Sequence, residues 1–141
     1  MIRSLLIMIM VTLTMNVNAQ KNDKVFNFCI VPIAAEYRGG NIEFLKFLYK
    51  NIDVNKVEHN IDSIEFVKYG FTQTALVSFT INEDGGLSNI EVTNKDSICK
   101  AVAEAAVLAV KKSTKWMPAK LNGKAIKDFK RQPITFTFQN E

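Results

Sequence analysis

The sequence contains little of what catalytic and metal sites are built from. Among its 141 residues there is one histidine, His59, and there are two cysteines, Cys29 and Cys99. A zinc site takes about four N, S or O ligands, and the chain has no Cys-x-x-Cys pair. It also lacks the P-loop and Gly-x-Gly-x-x-Gly motifs that hold nucleotide phosphates. We therefore expect a protein that is not an enzyme, with no catalytic residues, no metal site and no cofactor.

Long apolar runs and proline are also scarce. The one long apolar run, at residues 5–15, follows Arg3 and leads to Ala19. A basic start, a short apolar stretch and a small-residue end are typical of a signal peptide, whereas a spanning helix needs about 20 residues. We predict cleavage after Ala19 and export to the periplasm, with an uncleaved inner-membrane anchor as the alternative. The three prolines form no spacer segment: Pro32, Pro118 and Pro133.

The domain organisation follows from this start. The mature chain would have 141 − 19 = 122 residues, which suits one domain with an ordinary hydrophobic core. We predict three parts: a signal peptide at 1–19, an N-terminal strand and connector at 20–35, and one domain at 36–141.

Charge is distributed unevenly along the chain. Residues 20–94 contain 7 basic and 10 acidic groups, whereas residues 95–131 contain 10 basic and 3 acidic groups. Such a basic half can face anionic wall polymers, although a solvated lysine-rich surface is the simpler interpretation. Aromatic residues do not alternate with basic ones, so we do not expect nucleic acid as a partner.

Alternating and β-branched patterns predict four strands. Residues 25–31 are aromatic and β-branched, and residues 74–81 and 87–93 flank Gly85-Gly86, which suits the turn of a hairpin. Strand alternation would place Leu87, Asn89 and Glu91 on one face of the returning strand. The last strand is expected at residues 134–138, directly after Pro133.

Helical spacing predicts two helices between these strands. Asn41 can cap the first helix, and Asp96 or Ser97 the second. Residues 53–73 predict only a short helix or irregular turn. The fold class is therefore α+β, a small mainly antiparallel sheet in the order strand, helix, hairpin, helix, strand, with helices packed on one face. The expected core positions of the helices are Phe44, Leu45, Leu48 and Ile52, then Ile98, Ala101, Val102, Ala105, Leu108 and Ala109.

The terminal strand is the candidate binding element. If it lies at a sheet edge, its free N–H and C=O groups can accept an extended peptide; the alternative is an ordinary core strand. Trp116 is interpreted as a core plug rather than an exposed contact. The candidate edge residues are Ile134, Thr135, Phe136, Thr137, Phe138 and Gln139.

The two cysteines leave two possibilities open. Export permits a disulfide between Cys29 and Cys99, but two buried free thiols fit the sequence equally well.

The ordered set of motifs resembles the C-terminal domain of TonB, in the single-domain style common in the Bacteroidetes. Val54-Asn55 stands where members of that family usually carry Tyr-Pro. The resemblance implies a non-catalytic periplasmic binding module for envelope transport, which takes an extended segment of an outer-membrane receptor or another envelope protein by strand addition. A cell-wall protein that binds peptidoglycan is the alternative, and a homodimer stays open. The matching motifs are Glu36-Tyr37-Arg38-Gly39-Gly40, the strand ending in Asn82-Glu83-Asp84-Gly85, Trp116-Met117-Pro118-Ala119, Asn122-Gly123-Lys124 and Pro133-Ile134.

Overall fold

A computed structural model describes residues 31–139 of the chain. The signal peptide at 1–19, Cys29 and nearly all of the strand predicted at 25–31 lie outside these residues. Within residues 31–139, no helix has both the length and the apolar character needed to cross a bilayer. The helices are α1 (Gly40–Asn51), α2 (Val54–Glu58), α3 (Ser63–Tyr69) and α4 (Lys100–Lys111). The strands are β1 (Glu36–Tyr37), β2 (Thr72–Ile81), β3 (Leu87–Val92), β4 (Trp116–Met117), β5 (Ala119–Leu121), β6 (Lys124–Ile126) and β7 (Asp128–Thr137).

The main sheet has three antiparallel strands in the order β3-β2-β7, so the hairpin strand β2 lies in the middle. Alternate residues of β2 are completely buried, namely Ala75, Val77, Phe79 and Ile81. Helices α1 and α4 pack on the face that these residues form, which we call the covered face. The opposite, open face carries polar side chains such as Thr74 and Thr135, whose hydroxyl oxygens lie 2.9 Å apart. The predicted α+β class, with its helices on one face, is confirmed.

Four aromatic side chains form the centre of the core. The ring of Trp116 lies 4.8 Å from Phe44 and 5.3 Å from both Tyr37 and Phe79. Its indole N–H donates to Ser113 Oγ at 2.9 Å, so the polar atom of the ring is satisfied. The strand β4 that contains Trp116 pairs with β1, which carries Tyr37. Trp116 therefore closes the core as a plug between the first and last thirds of the domain.

The buried stripe of α4 differs from the predicted one. Val102, Ala106, Ala109 and Val110 are buried, whereas Leu108 is 53% exposed. Helix α4 is apolar on nearly every side, so its sequence offers several adjacent stripes of similar hydrophobicity. The choice among them is made by packing against β2 and β3. The prediction was right for Val102 and Ala109 and wrong for Leu108.

The helix caps are also not those predicted. Helix α1 begins after Gly39, which has a left-handed conformation, and α4 begins after Cys99; neither has a side-chain cap from its own N-terminal residue. Instead, the buried Gln73 accepts the Cys99 N–H at 2.8 Å and donates to Gly70 O at 2.9 Å. This cap comes from 26 residues away. Local spacing therefore favoured Asp96 or Ser97 wrongly.

The Cys99 thiol is buried and hydrogen-bonded in the folded chain. Its exposure is 0%, and its Sγ accepts a hydrogen bond from Gln73 Nε2 at 3.1 Å. Burial, then the carboxylates of Glu65 and Asp62, raises the pKa of Cys99 above its ordinary value of 9.0. Whether Cys99 bonds to Cys29 stays a prediction, since Cys29 lies outside the described residues.

We predict that Cys99 in a Cys29→Ser chain reacts with a chromogenic disulfide reagent only after unfolding, because the thiolate is the nucleophile. Since its folded pKa is raised, stability should be constant below about pH 9 and decrease as the pH rises above it. Urea titrations at several pH values measure this, with Cys29→Ser/Cys99→Ala as the control. Rapid labelling of the native chain would contradict the prediction.

Residues 53–73 form two short helices rather than one helix or an irregular turn. Asp53 caps α2 by accepting the Lys56 N–H at 3.1 Å. Asp62 and Glu65 form a capping box at α3, with Asp62 accepting the Glu65 N–H at 2.7 Å. The Asp-x-x-Glu spacing of a capping box is therefore present in the sequence. This motif could have been used to predict where α3 begins.

The turn between β2 and β3 packs against the backbone beside Trp116. Gly85 has φ +82°, and a Cβ built on it would lie 2.5 Å from the Trp116 carbonyl oxygen. Gly123, in the β5–β6 turn, has a similar φ of +78°, but nothing lies within 4 Å of its Cβ position. Alanine substitutions at the two glycines therefore distinguish the cost of backbone strain from the cost of a steric clash.

We predict that Gly123→Ala lowers the free energy of unfolding by about 1–2 kcal/mol, the usual cost of a left-handed alanine. Gly85→Ala should cost about 1–3 kcal/mol more, because the Trp116 carbonyl must also move. Urea unfolding of both variants measures the difference. Equal losses would show that the turn does not fix the position of β4.

Candidate functional site

Strand β7 is an edge of the main sheet. It pairs with β2 along its whole length, from Thr72 opposite Thr137 to Ile81 opposite Asp128, and residues 31–139 provide it with no second neighbour. Beyond β7, the Phe138 N–H still donates to Phe71 O at 2.9 Å, and Gln139 follows as an exposed residue. The even-numbered residues Ile134, Phe136 and Phe138 are buried in the covered face.

The strand is longer than predicted. We expected it to begin at Ile134, after Pro133, but it begins at Asp128 and contains Pro133. Proline has no N–H and is tolerated in an edge strand where that group would face solvent. The missing donor therefore leaves the β2–β7 ladder intact.

Hydrogen bonds show which backbone groups of β7 face outwards. Leu76, opposite Pro133, donates its N–H to Asn94 Oδ1 at 2.9 Å and accepts the Thr93 N–H at 2.9 Å. These bonds use the backbone of Leu76 on the β3 side, so the pair with Pro133 exchanges none. Because such pairs alternate along an antiparallel ladder, the outward-facing backbone groups belong to Phe129, Arg131, Thr135 and Thr137.

Pro133 divides this outward edge into two halves. It supplies no donor, and its carbonyl oxygen already accepts Gln132 Nε2 at 2.9 Å. The half at Thr135 and Thr137 is uncharged, whereas the half at Phe129 and Arg131 is basic.

Helix α1 runs beside β7 and leaves a cleft between them, here called the α1–β7 cleft. Its wide chamber, of about 950 Å³, lies between residues 133–137 of β7 and the second half of α1. Leu45 and Tyr49 line this chamber and are 44% and 89% exposed. Leu45 was predicted in the core, and Tyr49 was not singled out. Their spacing of four residues was the only available signal, and it does not distinguish a cleft wall from a core.

The narrow chamber, of about 370 Å³, lies beside residues 130–132 of β7. Its lining combines core aromatic rings with Asn41 at the start of α1 and the connector before it; these residues are Tyr37, Phe44, Phe79, Trp116, Asn41, Ala34, Ala35 and Glu36. Burial, followed by the Glu43 carboxylate, raises the pKa of the Tyr37 phenol above its ordinary value, so this ring stays neutral. Both chambers therefore open along one edge, the wide one beside its uncharged half and the narrow one beside its basic half.

The other edge of the sheet is less suited to pairing. Strand β3 has six residues, and its register with β2 shifts between Ser78 and Thr80, opposite Asn89 with φ 51°. The predicted alternation, with Leu87, Asn89 and Glu91 on one face, is therefore wrong. The bulge shifts the alternation within β3, so that Leu87, Ile90 and Val92 all pack against the core. A short, bulged strand is a common protection of a sheet edge.

The residues that could carry chemistry are separated or already bonded. His59 is exposed and lies on α2's end, with Nδ1 2.7 Å from Asn55 O. Asp62 and Glu65 belong to the capping box, and Asp84 accepts the Gly86 N–H at 2.8 Å within the hairpin turn. Across residues 31–139, no three His, Cys, Asp or Glu side chains are grouped to hold a metal ion.

The structure thus defines a class: a small α+β domain in which a long sheet edge, unpaired within residues 31–139, lies beside a cleft. A family model described as the C-terminal of the Gram-negative bacterial TonB protein matches residues 68–138, about half of the chain. The chain belongs to this family. The match includes β2, β3, α4 and β7, and therefore both the edge strand β7 and the strand β2 with which it pairs.

Comparison of structures finds a similar solved domain. The solution structure of the Helicobacter pylori TonB C-terminal domain is 22% identical, with a TM-score of 0.41, and the match covers 73% of this chain and 88% of that one. No curated protein sequence matches the chain. TonB C-terminal domains are non-enzymatic envelope domains that act through protein–protein contacts, among them contacts with outer-membrane receptors.

Proposed function

We propose that the chain is a non-catalytic periplasmic binding module that takes up an extended segment of an outer-membrane receptor or another envelope protein. The segment adds as a strand to β7 along residues 134–139, where Thr135 and Thr137 face outwards. The observation that carries this proposal is the edge of β7 beside the α1–β7 cleft, to which no strand of the described part of the chain other than β2 is paired. Family membership supports an envelope protein as the partner.

The energetics of the edge and the cleft are complementary. Thr135 and Thr137 offer two N–H and two C=O groups, and each backbone hydrogen bond contributes about 0.5–1.5 kcal/mol net. These bonds give affinity with little sequence preference. Burial of apolar surface against Leu45 and Tyr49 adds about 25 cal/mol per Å². Backbone pairing does not distinguish one side chain from another, so selectivity for side chains comes from the cleft.

Site-specific photo-crosslinking tests the proposal. A benzophenone amino acid in place of Tyr49 should crosslink, in intact envelopes, to an extended segment of an envelope protein that mass spectrometry identifies. The same group in place of Asn89, on the opposite edge, is the control. Loss of adducts at Tyr49, or identical adducts at both positions, would refute docking on β7. An adduct with a second copy of the chain would assign the edge to a homodimer instead.

The proposed location rests on export of the chain with cleavage after Ala19. N-terminal sequencing of the protein recovered from the periplasm should begin at Gln20. An intact Met1 would support the inner-membrane anchor instead.

A second candidate function, peptidoglycan binding, is favoured by the basic surface of the β5–β6 hairpin. Lys120, Lys124 and Lys127 are all exposed, and none takes part in an ion pair within residues 31–139. Co-sedimentation with purified sacculi at low and moderate salt tests this function. A triple substitution of these lysines by glutamate should abolish any salt-sensitive binding and leave strand addition unchanged.

A further inference from the structure

The two chambers of the α1–β7 cleft lie beside one continuous strand, and this places them in a fixed register. In the wide chamber the covered-face residues of β7 are the buried Ile134 and Phe136, and in the narrow chamber they are the half-buried Lys130 and Gln132. Corresponding positions in the two chambers are therefore four residues apart. An extended chain advances about 3.4 Å per residue, so the chambers are separated by about 14 Å along a docked strand.

Strand geometry fixes which side chains of a docked segment can enter the chambers. Residues opposite outward-facing positions such as Thr135 share the open face with them, whereas residues opposite Ile134 or Lys130 point to the covered face. Both chambers are bounded by α1, which packs on the covered face, so the covered-face side chains of a docked segment point towards them. Two side chains of the segment, four residues apart, therefore enter one chamber each.

The chambers differ in what they accept. The wide chamber has a flexible, exposed wall of Leu45 and Tyr49, which suits an aliphatic side chain. The narrow chamber has four aromatic rings among its lining residues, and such rings favour edge-to-face contact with an aromatic side chain.

The charge at the edge specifies a third position. Arg131 is exposed on the open face and takes part in no ion pair within residues 31–139. The residue of the docked segment directly opposite Arg131 neighbours the side chain in the narrow chamber. An acidic residue there would pair with Arg131 across the strands, an arrangement that contributes about 0.2–1 kcal/mol.

We propose that the α1–β7 cleft recognises an extended segment by an aliphatic and an aromatic side chain four residues apart, with an acidic residue beside the aromatic one. This inference rests on the proposed strand addition, and it names the class of segment that the site takes. Pro133 fits the same scheme, because the gap in hydrogen bonding falls at the end of the wide chamber that is nearest the narrow one.

Synthetic peptides test the spacing. The probes are acetylated nonapeptides of threonine and serine that carry one leucine and one phenylalanine, two, four or six residues apart, with glutamate beside the phenylalanine. The peptide with a spacing of four should bind at least about tenfold more tightly than the other two, a difference of about 1.4 kcal/mol. It should also shift the fluorescence of Trp116, the single tryptophan of the chain, which lines the narrow chamber.

Matched variants assign each contact. Asn41→Phe fills the narrow chamber from an exposed position and should remove the advantage of the spacing of four, whereas Ile42→Phe, on the adjacent exposed residue outside the cleft, should not. Tyr49→Ser should weaken binding of the peptide with a spacing of four, but not of the same peptide with serine in place of leucine. Arg131→Glu should weaken binding, and a peptide with lysine in place of glutamate should restore it.

The outcomes separate this inference from the proposed function. Equal affinities for all three spacings, with binding still dependent on the outward N–H of Thr135, would overturn the two-anchor reading and leave strand addition standing. If no peptide binds, the anchor pattern is overturned, whereas strand addition itself is decided by the crosslinks at Tyr49. Binding without any response of Trp116 also overturns the assignment of the aromatic anchor.

Discussion

Replacing Phe79 by alanine should lower the free energy of unfolding by about 3–5 kcal/mol, the usual cost of removing a buried aromatic side chain. Phe79 is 1% exposed on the covered face, and its ring lies 5.3 Å from Trp116 and 6.4 Å from Phe44. The substitution therefore also removes a contact of Trp116, the residue that packs β4 against the sheet. For a domain whose total stability is about 5–15 kcal/mol, such a variant is close to the limit of folding.

Phe129→Ala is the matched control, because Phe129 lies on the neighbouring strand but is 61% exposed on the open face. It should cost no more than about 0.5 kcal/mol, as surface substitutions do. Urea titrations of both variants, with unchanged m values, give the comparison. A difference of less than about 1 kcal/mol between them would contradict the assignment of Phe79 to the centre of the core.

The parts of the fold that could be predicted are those that local patterns determine. Alternation of apolar residues marked β2 and the end of β7, and Gly85 marked the hairpin turn. These features depend on the period of the strand and the conformational freedom of glycine, which are properties of a few consecutive residues. The same reasoning identified the α+β class from the order of the elements.

The parts that could not be predicted depend on residues far apart in the chain. The cap of α4 comes from Gln73 on β2, and the buried stripe of α4 is selected by the strands beneath it. The length of β7 depends on the direction in which the backbone of Pro133 faces, which follows only from pairing with Leu76. Packing, rather than local preference, decides each of these features.

The candidate site was predicted in part for the same reason. The alternation of residues 134–139 indicated a strand, and the resemblance to TonB domains suggested strand addition. The cleft beside it needs Leu45 and Tyr49, which lie about 90 residues earlier and read as part of an ordinary amphipathic helix. Only the position of α1 relative to β7 shows that these side chains face a cleft.

A proline in place of Thr135 should weaken docking strongly while the chain stays folded. Thr135 lies opposite Thr74 in a pair that exchanges no backbone hydrogen bonds, so its N–H is not part of the sheet. Its removal leaves a carbonyl of the docked segment without a donor, which costs about 1–3 kcal/mol, and the proline ring also occupies the path of the segment. The expected result is an increase in Kd of at least about tenfold to a hundredfold.

Three comparisons make this result specific to the edge. Thr135→Val keeps the N–H but loses the hydroxyl contact with Thr74, so it should bind normally. Phe136→Pro removes an N–H that pairs with β2 and should unfold the chain, whereas Thr135→Pro should cost only about 1–2 kcal/mol through its restricted φ. Isothermal titration with the segment crosslinked at Tyr49, together with circular dichroism, measures binding and folding separately. Normal binding by a folded Thr135→Pro chain would mean that partners do not reach the sheet through the outward backbone of β7, whatever else the cleft contacts.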